Sequence, residues 1–164
     1  MQFETNRDPN YFNEECMHAN CGSFAFNIRE WYCPDECFDQ DDLELAAQLI
    51  DDEGLDETDV IRLLFDRNVE QIHQDFELKD VDNKDYPLKD NEELIAFRMC
   101  INRTFYDDEL VVDYHFRVKR EGKWMEKCGI GRVRTIEDYN EDPWVEGEDL
   151  IYWGPIAYFV KKCS

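Results

Sequence analysis

Apolar residues recur at helical spacing through the first half of the chain and alternate with polar ones through much of the second. Cys21, Phe24, Ala25 and Ile28 share one face of a helix predicted over 21–30, with Asn20 as its N-cap and Pro34 ending the stretch. A second helix is predicted over 41–53, with Leu43, Ala46, Ala47 and Ile50 inward and Gly54 as the stop. A third spans 58–76 and turns Ile61, Leu64, Phe65, Ile72 and Phe76 inward. Residues 1–19 read as an irregular lead-in and 77–91 as a polar connecting loop. The period then changes to two. Ile95, Phe97, Met99 and Ile101 alternate with polar or small residues, as do Val112, Tyr114, Phe116 and Val118. Glu121-Gly122 is placed at a tight turn, with a returning strand over 124–128 and a last strand over 156–160. Helices first and antiparallel strands after give an α+β fold. One domain over 1–164 is expected, N-terminal helices (about 20–76) packing on a C-terminal antiparallel sheet (about 92–162).

Charge narrows the function. The chain carries 40 acidic and 18 basic side chains, a net charge of −22, yet aromatic residues make up 14%, enough for a packed core. Such a charge excludes direct binding to nucleic acid phosphates and to anionic membranes, both of which need clustered Lys and Arg. It favours a basic partner, and the acidic side chains are densest over 35–59. One functional class follows directly: a non-catalytic inhibitor that mimics nucleic acid and occupies the basic groove of a nuclease or defence protein. No apolar run is long enough to span a bilayer, and the first residues carry no signal-peptide pattern, so a cytoplasmic location is expected. The seven cysteines are odd in number and are read as free thiols.

The second class is catalytic. A thiol at the first position of a helix meets unpaired N–H groups and the positive end of the helix dipole, which favour thiolate and can hold an oxyanion. Cys21 stands at such a position, with Gly22 and Ser23 leaving room beside the sulfur; a small buried hydrophobe is the plain alternative. Of the three histidines, His18, His73 and His115, only His115 is predicted on a strand, where a base can face a nucleophile carried by another element. In a hairpin centred on Glu121-Gly122, Arg117 faces Glu126 and His115 faces Cys128, so Glu126 is the preferred group to orient the imidazole, with Asp113 the other candidate. Strict alternation puts His115 opposite the apolar set Val112, Tyr114, Phe116 and Val118, so pairing with Cys21 calls for a site at the sheet's polar edge or a bulge in the strand. An alternative zinc set is Cys16, His18, Cys21, Cys33 and Cys37.

The stretch Asn20-Cys21-Gly22-Ser23-Phe24-Ala25-Phe26-Asn27 resembles the nucleophile helix of papain-like cysteine hydrolases of the NlpC/P60 kind. Tyr114-His115-Phe116-Arg117, with Gly122, Lys123 and Trp124 downstream, resembles the histidine strand and hairpin of small phage and bacterial members. The resemblance implies a papain-like fold and a peptidase or amidase acting on an acyl or peptide substrate without a cofactor, in the host cytoplasm if phage-encoded. It assigns Cys21 as nucleophile, His115 as base and Glu126 as the third residue, where that group more often carries His, Asn or Gln.

Overall fold

The structure is a computed structural model that describes residues 3–163. Four α-helices precede eight strands among those residues. Helix α1 (Tyr11–Glu14) and a 3-10 turn (Cys16–His18) lie where the sequence suggests only an irregular lead-in. Helix α2 (Cys21–Phe26) is shorter than expected, because Asn27 enters the left-handed region at φ 55° and closes it. Helix α3 (Asp42–Ala47) passes into a π-turn (Gln48–Asp52), and α4 (Glu57–Asp75) is the long helix. In α4 Ile61, Leu64, Phe65 and Ile72 are buried, as their spacing predicts, each contributing about 1.5–3 kcal/mol of transfer free energy. In α3 the expectation for Leu43 fails: it is 46% exposed, and Asp42 and Ala46 are the buried residues.

The strands are β1 (Lys79–Val81), β2 (Glu92–Arg103), β3 (Leu110–Arg120), β4 (Lys123–Lys127), β5 (Val133–Ile136), β6 (Val145–Glu146), β7 (Leu150–Ile151) and β8 (Ile156–Lys162). Six form one sheet in the order β1-β8-β2-β3-β4-β5, with every neighbouring pair antiparallel. Strands β6 and β7 form a separate hairpin. The short strand β1 falls in the stretch read as a loop; its pairing with β8 is a contact that no local pattern announces. The fold is therefore α+β, with a helical part and an antiparallel sheet.

Alternation divides β2 and β3 between two cores. Ile95, Phe97, Met99, Ile101, Phe116 and Val118 face the helices, where Phe26 stacks on Phe76 at 3.9 Å and meets Phe116 edge-on. Leu94, Ala96 and Cys100 face the other way, onto Trp124, Trp144 and Tyr152. Of the remaining tryptophans, Trp153 is half-buried, whereas Trp31 is 47% exposed and forms no part of a core.

The β3–β4 hairpin closes as the sequence indicates, with Arg120 opposite Lys123 and both turn residues at positive φ, Glu121 at 53° and Gly122 at 77°. Glycine takes that conformation freely and glutamate does not. Glu121→Asn is expected to stabilise the protein by about 0.4–1 kcal/mol, read as a rise in the urea midpoint at unchanged slope.

Candidate functional site

Helix α2 is held at its start by an unusually complete cap. The Asn20 side chain accepts the Ser23 N–H at 2.9 Å and donates to the Tyr32 carbonyl at 2.7 Å and to the Tyr114 hydroxyl at 3.1 Å. The Ser23 hydroxyl accepts the Asn20 N–H at 3.2 Å and donates to the Glu30 carbonyl at 2.6 Å. Ser23 is thus spent on the cap and does not open space beside the sulfur. Nor does Gly22: a Cβ there would stand 3.0 Å from the Tyr32 carbonyl oxygen, so glycine permits a close chain crossing.

The cap delivers Cys21 to β3 and β4, on which α2 packs. The register of β3 with β4 ends at Arg117 opposite Glu126, and the next amide of β3, that of Phe116, approaches the Cys21 thiol closely enough to favour its thiolate. The thiol therefore meets the peptide group that directly follows His115. Burial pushes the Cys21 thiol well above its ordinary range; the Phe116 amide opposes this, and Asp113, Glu146 and Cys128 reinforce it. At 5% exposure Cys21 is a neutral, shielded thiol at rest.

His115 keeps the face that alternation assigns. The β2–β3 register runs unbroken from Leu110 to Lys119, with no bulge to re-aim the ring. The imidazole stacks on Tyr152 at 5.3 Å and meets the edge of Trp144, within the second core. Its Nε2 lies 2.8 Å from Glu126 Oε1, whereas its Nδ1 has no partner although the residue is only 1% exposed. The tautomer decides which of the two groups donates. Asp113, the other orienting candidate, lies instead 2.9 Å from the Tyr152 hydroxyl.

Glu126 is the centre of a buried ionic network. Its Oε1 also accepts from Arg117 Nε at 3.0 Å, and its Oε2 from Arg134 Nε at 2.6 Å. Burial opposes ionisation of this carboxyl, but the hydrogen bond and charge of His115, followed by Arg117 and Arg134, outweigh it and hold its pKa down at about 2. Arg117 is fully buried, lies over the Trp144 ring at 4.2 Å and donates to the Pro143 carbonyl at 3.0 Å.

The structure brings His115 and Glu126 into contact and sets Cys21 against the neighbouring amide, but no thiol–imidazole hydrogen bond is formed. It does not assemble the alternative zinc set. Among the described residues the one compact group of metal-ligating side chains is His115, Glu126 and Cys128, and Cys16, His18, Cys33 and Cys37 stay outside it. The reason is the cap on α2, which directs Cys21 at β3 while His18 points to solvent beside Glu15. All seven cysteines are free.

One residue of the site escapes sequence reasoning. Lys127 is fully buried and donates to the carbonyls of Cys16, Ala19 and Gly129 at 2.5–2.6 Å, tying the segment before Asn20 to β4. The available signal was a lysine at an inward strand position, two residues from Met125.

Compared with known protein families, with curated proteins and with solved structures, the chain matches none. No helix among the described residues is long and apolar enough to cross a membrane.

Proposed function

We propose that the protein is a papain-like cysteine hydrolase of the peptidase or amidase type, with Cys21 as nucleophile, His115 as base and Glu126 as the group that holds the imidazole. The observation that carries this reading is the imidazole held by Glu126 through Nε2, with Nδ1 left without a partner, on the residue directly before Phe116, whose amide approaches the Cys21 thiol. Cys21 packs in the helix-side core and His115 faces the other one, so the two can meet only past the last β3–β4 pair, Arg117 with Glu126; there Nδ1 of the neutral imidazole takes the thiol proton as Cys21 Sγ attacks a carbonyl carbon. The N–H of Cys21, at the first helical position and so without an intrahelical acceptor, receives the developing oxyanion. Protonation of the leaving group by His115 gives the acyl-thioester, and water activated by the same imidazole releases the acid. Because burial keeps the resting thiol protonated, proton transfer accompanies attack rather than preceding it. The segment 144–152 lays Trp144 and Tyr152 on the imidazole and must lift for a substrate to enter.

Cys100 supplies an internal control, being as buried as Cys21 and without an imidazole partner in this reading. Iodoacetamide at pH 7, read by mass spectrometry, is expected to modify Cys21 at least about tenfold faster than Cys100, the low end of the gain that a positioned base provides. The advantage should vanish in His115→Gln. Equal rates at the two positions in the unmodified protein would refute the pairing.

One observation favours a second reading. Residues 30–61 contain no Lys, Arg or His, and Glu36, Asp39, Asp41, Asp52 and Asp56 among them are exposed. A non-catalytic acidic inhibitor that docks on a basic groove would use that face. Cys21→Ala separates the readings, since it removes acyl transfer and leaves such docking intact.

A further inference from the structure

The loop between β2 and β3 carries two aromatic side chains that nothing covers. Phe105 is 86% and Tyr106 89% exposed, and their rings meet edge-on at 5.2 Å. The loop is closed by its own hydrogen bonds. The Thr104 N–H donates to the Glu109 carbonyl at 2.9 Å, the Asp108 N–H to the Thr104 carbonyl at 3.1 Å, and the Glu109 N–H to the Thr104 hydroxyl at 3.0 Å. Asp108 takes the left-handed conformation, at φ 51°, that lets the chain return. Arg103 fastens the loop at its base: its guanidinium donates to the Asp108 carbonyl at 3.2 Å and pairs with Asp51 of the π-turn. Two large rings are thus held out on a preorganised loop, which lowers the ordering cost of binding through them.

The charge around the rings states which partner they suit. Asp107, Asp108 and Glu109 follow directly and are exposed, and across the Arg103–Asp51 contact Asp52 and Glu53 are exposed as well. Arg103 is the only basic residue of 103–109, and Asp51 already neutralises it. An aromatic face attracts a cation, and carboxylates beside it supply charge and acceptors. Arginine answers both, because its planar guanidinium stacks on a ring and bonds a carboxylate through its fork of N–H groups. The same carboxylates repel phosphates, so a nucleic acid gains nothing from the rings. We propose that the β2–β3 loop is the docking site for an arginine-bearing segment of a basic protein, with Phe105 and Tyr106 taking guanidinium groups on their faces and Asp107, Asp108 and Glu109 pairing with them at the side. The inference goes beyond the two readings above. It requires neither acyl transfer nor a nuclease as partner, and it extends the acidic surface of 30–61 onto the sheet.

The probe is a fluorescein-labelled peptide of alternating arginine and glycine, followed by fluorescence anisotropy with the full-length protein. Binding is expected at low salt and should weaken as salt rises. In the double variant Phe105→Leu with Tyr106→Leu, which keeps apolar bulk and removes the aromatic faces, Kd is expected to rise at least about fivefold. Asp107→Asn with Asp108→Asn should also weaken binding and flatten its salt dependence. All four positions are exposed, and circular dichroism identical to the parent shows that each variant is folded. An unchanged Kd in the leucine variant overturns the proposal, because attraction to net charge alone would then account for binding. Equal affinity for the lysine analogue of the peptide overturns the choice of arginine. Binding to phosphatidylcholine vesicles that needs Phe105 and Tyr106, with no binding of the peptide, overturns it as well and makes the loop an anchor for a lipid surface. None of these outcomes bears on whether Cys21 outpaces Cys100 in alkylation, so this inference and the hydrolase reading fail separately.

Discussion

Glu126→Ala is expected to destabilise the protein by about 3–5 kcal/mol, the range for removing one partner of a buried charge network. The alanine would leave Arg117, fully buried, and His115, 1% exposed, without the carboxylate that each now meets. A protein of this size has about 5–15 kcal/mol in all, so the variant stands near the edge of folding. Glu126→Gln keeps the shape and one acceptor and should cost less. The double change Arg117→Met with Glu126→Ala should recover part of the loss, because a hydrophobe then replaces the uncompensated guanidinium. The readout is the urea midpoint followed by tryptophan fluorescence, to which the buried Trp124 and Trp144 contribute. A loss below about 1 kcal/mol would place the network outside the stability of the fold. The same carboxyl sets an acid limit. Its pKa is lower in the folded protein, about 2 against an ordinary 4.5, so its contribution is present above 4.5 and is lost as pH falls toward 2. In Glu126→Gln that part of the acid dependence should disappear.

Cys21→Ala is expected to lower esterase turnover of an activated acyl ester, p-nitrophenyl acetate, by about 10⁴-fold or more, as loss of a nucleophile does elsewhere. The parent protein should also accumulate an acetyl adduct on residue 21, visible by peptide mapping, and the variant should not. The substitution removes one sulfur from a close-packed site, so folding should survive with a cost of about 1–2 kcal/mol. Persistence of both turnover and adduct in Cys21→Ala would move the nucleophile to another thiol. Cys128 would then be the first to test, because it shares the His115–Glu126 cluster.

Local chemistry accounts for most of what the sequence made legible. Asn20 caps α2 as expected, while Ser23 completes the capping box instead of leaving room beside the sulfur, and Glu121-Gly122 sets a hairpin whose register does place Arg117 opposite Glu126. From that register the approach of Glu126 to His115 was readable in advance, since diagonal neighbours on one strand face reach each other. Leu43 lies off the buried face of α3 because Asp42, bonded to Arg67 and Asn68 of α4, turns inward with Ala46 four residues on. Strand β1 and the β6–β7 hairpin were missed because each is too short to show a period.

By itself the sequence determined the class of the fold, the capped thiol at the start of α2 and the face of β3 on which His115 lies, because each depends on spacing along a single element or across one tight turn. Only the tertiary structure decided that the thiol meets the Phe116 amide and that Lys127 is buried beneath the lead-in. These are contacts between segments far apart in the chain. Their free energy comes from burial and from satisfying charges in the interior, and neither leaves a periodic trace in the order of residues.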